Sequence, residues 1–255
     1  MTKIDSNQLL LGYDLDLWND YGVKMPITTP ISSDTNSHMI ICGMSGSGKT
    51  FLEQIIIRNL ASSYDKNSMV YFADYKGDDT FSYLRNTPRY YTYSQTLTAL
   101  DEVYSILNHR LNGDIDRTPV TLFWDEYMAN ILSLTNTDKK LAAATMNKVS
   151  ELLLMGRSMA VRLVIACQRP DAVAFPVGSR LNYGIAIILG AYQKSTYEML
   201  MPDEKDQIEG RAFNRGEGSV LLQGTTLHLI KVPLVRHIDN MQAMCIQALG
   251  GQHDS

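Results

Sequence analysis

The sequence predicts a doubly wound α/β fold on a mostly parallel sheet flanked by helices. Three observations carry that expectation. Five short runs are almost continuously apolar, helical patterns separate most of them, and the tail changes to two runs joined by a Gly-containing turn. In chain order the runs are HMIICG from His38, SMVYFAD from Ser68, VTLFWDE from Val120, RLVIAC from Arg162 and YGIAIIL from Tyr183. They are too apolar to alternate, as strands buried on both faces are. Helical patterns span about Lys49 to Ser62, Gln95 to Leu111, Lys139 to Arg157 and Ser195 to Met201. In the tail, SVLLQ and LHLIKVPLV flank Gly224-Thr225-Thr226, which predicts an antiparallel hairpin on the sheet edge. Residues 1–36 are expected to supply a strand or two and a polar loop, Thr28 to Ser37, packed on the core. Residues 37–236 form the main domain, and 237–255 a C-terminal helix, Asn240 to Leu249, with a tail.

A chain of 255 residues is long enough to bury a sizeable core as one domain. With 45% hydrophobic and 20% charged residues, neither a disordered nor a fibrous class fits. The 23 basic and 27 acidic side chains leave a net charge of −4, so no bulk basic field marks a nucleic-acid binder. Any such contact must be local. Cys42, Cys167 and Cys245 are far apart in sequence and lack a CxxC spacing, which predicts reduced core thiols rather than disulfides or a zinc site. No run approaches the ~20 apolar residues of a membrane helix. Asp5, Ser6, Asn7 and Gln8 interrupt what a signal peptide would need to be apolar. A cytoplasmic location is therefore expected.

The sharpest motif is GMSGSGKT, Gly43 to Thr50, which satisfies G-x-x-x-x-G-K-[ST] between an apolar strand and an amphipathic helix. Its glycines let successive backbone N–H groups and the helix N-terminus face a triphosphate. The predicted ATP contacts are Gly43, Met44, Ser45, Gly46, Ser47, Gly48, Lys49, Thr50 and Phe51. Lys49 would reach the β/γ-phosphates and the Thr50 hydroxyl would hold Mg²⁺. A second motif, TLFWDEY from Thr121 to Tyr127, ends an apolar strand in two carboxylates. Asp125 is placed to hold Mg²⁺, and Glu126 to polarise an attacking water, which favours ATP hydrolysis over transfer to a second substrate. Asn147-Lys148 continues as Val149-Ser150, so the N-K-x-D of a GTPase switch is missing.

In a third segment, GRSMAVRLVIACQRP from Gly156 to Pro170, Gln168 stands at the C-terminal end of a buried strand, where parallel sheets place ligand contacts. Gln168 is either a γ-phosphate sensor or a loop-satisfying amide. Arg157 is either an arginine finger for a neighbouring subunit or a helix-terminal cation offsetting the dipole.

These segments together resemble the FtsK/SpoIIIE family of hexameric DNA-translocating ATPases, which includes the coupling ATPases of conjugative elements. The family's G-x-[ST]-G-S-G-K-[ST], V-D-E and G-R-x-x-G-[IL]-H-L-[IV]-x-A-T-Q-R-P appear here in order as GMSGSGKT, FWDE and GRSMAVRLVIACQRP. ADYKGDD at Ala73 to Asp79 resembles the family's second strand with its D-P-K, placing Lys76 near that strand's tip. RGEGSVLL at Arg215 resembles the glycine-rich turn before the last strands. The resemblance implies a RecA-like P-loop NTPase that acts as a homo-oligomeric, hexameric ring on DNA without sequence specificity. Arg157 lies eleven residues before Gln168, the spacing of the trans-acting finger in conjugative coupling proteins.

Departures from the pattern matter as well. LNYGIAII replaces N-I-P-T-R-I-A-F, and Ser195-Thr196-Tyr197 replaces the D-S-R of chromosome translocases. Both shift weight to Arg157, with Arg162 and Arg180 in reserve. The family's winged helix and membrane helices have no counterpart, which implies a soluble member or an excised motor domain with membrane-anchored, relaxosome or secretion partners. A protein-pumping ATPase of a type VII secretion system and a degenerate nucleotide-binding scaffold remain the alternatives.

The Met residues at 146, 155, 159, 199 and 201 read as core or interface filler, Tyr90-Tyr91-Thr92-Tyr93 as a short exposed strand, and the five histidines as incidental.

Overall fold

The structure, a computed structural model, describes residues 7–30, 38–62, 68–175 and 182–252. All five apolar runs are strands: β3 (His38–Gly43), β4 (Met69–Asp74), β6 (Val120–Asp125), β7 (Val161–Cys167) and β8 (Tyr183–Leu189), numbered in a series that opens with β1 (Gln8–Asp14) and β2 (Pro26–Pro30). A short β5 (Tyr90–Thr92) and the hairpin β9 (Glu217–Leu222) and β10 (Thr226–Lys231) complete the ten described strands. They form one sheet in the order β2-β1-β10-β9-β8-β3-β7-β6-β4-β5. Pairing is parallel from β5 through β8 and antiparallel from β8 through β2.

Alternation along the strands sends successive side chains to opposite faces, so buried strands feed two core layers. On one face Ile40, Leu122, Trp124 and Ile165 pack with Leu107 of α3 (Thr96–Leu111), Ile131 of α4 (Tyr127–Thr137) and Leu152 of α5 (Lys139–Met155). On the other, Ile41, Phe72, Phe123 and Val164 pack with Ile56 of α2 (Lys49–Ser62) and Cys245 of α8 (Ile238–Ala248).

The hairpin is antiparallel as predicted, but it is not the sheet edge. β1 pairs with β10, and β2 covers β1. The reason is apolar: Leu9 and Leu11 are fully buried in the core layer that packs on α2, which draws β1 into the sheet beside β10. Three described α-helices were not anticipated: α1 (Leu15–Tyr21), α4 and the four-residue α7 (Lys205–Ile208). Asp14 accepts a hydrogen bond from Leu17 N at 2.8 Å and Gly22 adopts φ 67°, so a side-chain cap and a left-handed stop delimit α1. α4 follows the strand-end acids without an intervening loop, and its Tyr127 and Ile131 are fully buried. The two short helices α6 (Lys194–Leu200) and α7 lie between β8 and β9.

Tyr90 and Tyr91 are half-buried rather than exposed, because β5 pairs with β4 and lies beside α3. Nor is every histidine incidental. His38 Nδ1 accepts from Leu163 N at 3.0 Å, tying β3 to β7, and burial next to Arg162 and Arg157 lowers its pKa to about 4. Cys42 and Cys167, distant in sequence, are register partners with sulfurs 3.5 Å apart. Among the described residues no helix is long and apolar enough to cross a membrane.

Candidate active site

The C-terminal ends of the parallel strands carry the chemistry, as the α/β rule requires. After β3 the chain curls through Gly46 at φ 81° and Gly48 at φ 97°, which only glycine adopts without strain, and enters α2 at Lys49. Gly48 also lets the loop lie against a second turn: a Cβ there would stand 3.0 Å from Gly216 Cα. Gly216 N donates to Ser47 O at 2.8 Å, and Val232 N donates to Gly216 O at 2.7 Å. The RGEGSVLL segment therefore braces the loop from the hairpin side. Met44, Ser45 and Gly46 are exposed, Ser47 is buried, and Thr50 and Phe51 are half-buried at the start of α2.

Lys49 points into a buried cluster of acids. Its Nζ lies 2.6 Å from Asp125 Oδ1, 3.2 Å from Glu53 Oε1 and 3.9 Å from Glu126 Oε1. Burial disfavours the Lys49 charge, but Glu53, Asp125 and Glu126 outweigh it and hold the pKa above the ordinary lysine value. Burial and the Asp125 charge push Glu53 up to about 8.

Glu126 sits in the left-handed region at φ 54°, ψ 34°, with its N–H donating to Asp125 Oδ1 at 2.9 Å. This left-handed turn at a strand tip brings the side chain to Gln168, Lys76 and Lys49. Gln168 Nε2 donates to Glu126 Oε1 at 3.1 Å, and Lys76 Nζ lies 2.9 Å from the same oxygen. Lys49, Asp125, Glu126 and Gln168, drawn from three separate segments, thus converge as expected.

Arg157 does not join them. It precedes β7, whereas Gln168 follows it, so the seven residues of that strand separate the two by roughly 20 Å. Arg157 is exposed at the opposite end of the sheet, beside His38 and a cavity of about 430 Å³. Arg162 is buried within β7, where burial lowers its pKa to about 10, and so is not placed to reach another subunit. Arg180 lies outside the described residues.

Two members of the cluster were not among the expected site residues. Glu53 lies one helical turn beyond Lys49, and that i, i+4 spacing was its available signal. Lys76 was placed at a strand tip, but nothing local to ADYKGDD says which acid it meets. Parallel pairing decides that: Asp74 stands in register with Asp125, and Tyr75 N lies 3.4 Å from Asp125 O.

The loop fits a nucleotide phosphate. Two positive-φ glycines, a 14-residue helix starting at the loop's end and a buried ammonium together offer an anion cradle. Comparison with known proteins agrees. Ftsk domain-containing protein YdcQ of Bacillus subtilis (strain 168) is 28% identical over 211 residues, which span 74% of this chain and 42% of that protein. The chain thus covers well under half the length of this curated relative. Among solved structures, the pCW3 conjugation coupling protein TcpA, in a monomer form with ATPγS, superposes with a TM-score of 0.67 at 15% identity, over 96% of this chain and 71% of that one. The cytoplasmic domain of the Thermomonospora curvata type VII secretion ATPase EccC gives 0.64 at 16% identity, over 98% and 32%. At such identities the likeness concerns the fold, which is that of P-loop ATPase motor domains. The sequence model of the FtsK/SpoIIIE family matches residues 15–249, and with the phosphate loop, the acid pair and the strand-end Gln in place, the chain belongs to that family.

Proposed function

We propose that this chain is an ATP-hydrolysing motor unit that moves DNA through a homo-oligomeric ring, with nucleotide bound between neighbouring subunits. The observation that carries hydrolysis is Glu126, held one residue beyond Asp125 in a left-handed turn beside Lys49 and Gln168. In this reading the backbone of residues 43–51 cradles the phosphates, and Lys49 exchanges its acids for the β/γ-phosphates. Thr50 and Asp125 hold Mg²⁺, which when bound neutralises charge developing on the phosphates. Glu126 orients the attacking water and takes its proton, and Gln168 reports the γ-phosphate to the strand end.

The distance of Arg157 from its own phosphate loop supports action on a neighbour. Arg157→Ala is expected to lower ATPase by roughly 10³-fold under assembling conditions. It should leave a dilute, verified monomer unchanged; equal loss in both states would remove the trans role. Steady-state ATPase with and without long DNA tests the polymer. Stimulation by DNA that falls steeply from about 50 to about 200 mM salt is expected, because phosphate contacts release counterions. Type VII secretion ATPases share the fold. ATPase indifferent to DNA would favour a protein cargo.

A further inference from the structure

Oε1 of Glu126 meets Lys76 Nζ at 2.9 Å, Gln168 Nε2 at 3.1 Å and Lys49 Nζ at 3.9 Å. An oxygen so engaged is turned toward its three partners and not toward an attacking water. Lys49 is committed to the acids beneath the phosphate loop, and Gln168 to the end of β7, whereas Lys76 comes from the surface with its side chain 46% exposed. It is the one of the three that can leave Glu126 for solvent at little cost, whereas Lys49 leaves its acids only for phosphate.

The loop that delivers Lys76 is tightly built. Asp74 Oδ1 accepts from Lys76 N at 3.1 Å and Gly77 N at 2.8 Å, while Oδ2 accepts from Asp78 N at 3.0 Å and the Tyr90 hydroxyl at 2.6 Å. Tyr93, itself in the left-handed region at φ 51°, lays its ring on Gly77: a Cβ at Gly77 would stand 2.9 Å from Tyr93 Cζ. Four hydrogen bonds on the one buried Asp74 carboxylate and a left-handed tyrosine over Gly77 fix this segment. What it holds in place is the base of Lys76.

We propose that Lys76 is a positioning residue that brakes hydrolysis: it parks Glu126 in an ion pair that must open before Glu126 accepts a proton from water. The brake rests on the hydrolysis reading above, and it acts on turnover, not on nucleotide capture. Lys76→Met should raise basal kcat about two- to fivefold, the scale of a half-exposed ion pair, with KM little changed. Lys76→Arg should restore the wild-type rate. Lys76→Met combined with Glu126→Gln should be as inactive as Glu126→Gln alone, because the lysine acts only through the glutamate. Melting temperatures measured alongside separate this from a folding defect, since lost stability cannot raise kcat. A kcat that falls or stays level in Lys76→Met, whatever KM does, overturns the brake while leaving hydrolysis intact. Absence of turnover above the Lys49→Ala background in both wild type and Lys76→Met would overturn the hydrolysis reading and the brake with it.

Discussion

Glu126→Gln is expected to keep nucleotide binding and lose steady-state hydrolysis by about 10²- to 10⁴-fold, the usual contribution of a positioned general base. The amide is isosteric, and its carbonyl oxygen still accepts from Gln168 and Lys76 as Glu126 Oε1 does at 3.1 and 2.9 Å. The left-handed backbone at φ 54° is equally open to Gln, so the turn into α4 should persist. What is lost is the ability to take a proton from water. Fluorescent-nucleotide titration and a coupled ATPase assay on the same preparation check both halves. A variant with full turnover would remove Glu126 from the role, and one that fails to bind nucleotide would make the residue part of the phosphate cradle instead.

The largest stability effect is expected one residue before the acid pair. Trp124 is fully buried on β6, a strand flanked by β4 and β7, and its ring meets Tyr127 edge-on with centroids 5.1 Å apart. Tyr127 is itself buried, with its hydroxyl donating to Ala174 O at 3.1 Å. Both neighbouring strands and α4 constrain the site, so little collapse into the vacated volume is possible. Trp124→Ala should therefore cost about 3–5 kcal/mol, the transfer of the indole plus its cavity. Urea unfolding followed by circular dichroism measures this directly. A loss below about 1 kcal/mol would contradict a close-packed layer between β6 and α4.

Much of the site was legible because its parts are local. The phosphate loop needs glycines at fixed offsets and a strand and helix around them, and all three lie within GMSGSGKT and its flanks. Asp125 and Glu126 announce themselves as the polar end of an apolar strand. The remaining members come from elsewhere: Lys76 reaches Glu126 only because β4 pairs in parallel register with β6, bringing Asp74 opposite Asp125. Glu53 was hidden for a different reason. An acid on a helix reads as solvent-facing, whereas this one is fully buried under Lys49.

By itself, the sequence determined the five central strands, the helices α2, α3 and α5, the phosphate loop and the acid pair, because periodicity and turn chemistry act over a few residues. Tertiary structure alone decided that β1 and β2, not the C-terminal hairpin, close one side of the sheet. It also decided that two lysines meet three acids beside the strand tips. Those outcomes depend on strand order and register, which are set by which buried surfaces fit against each other across the whole sheet, and no local pattern encodes that choice.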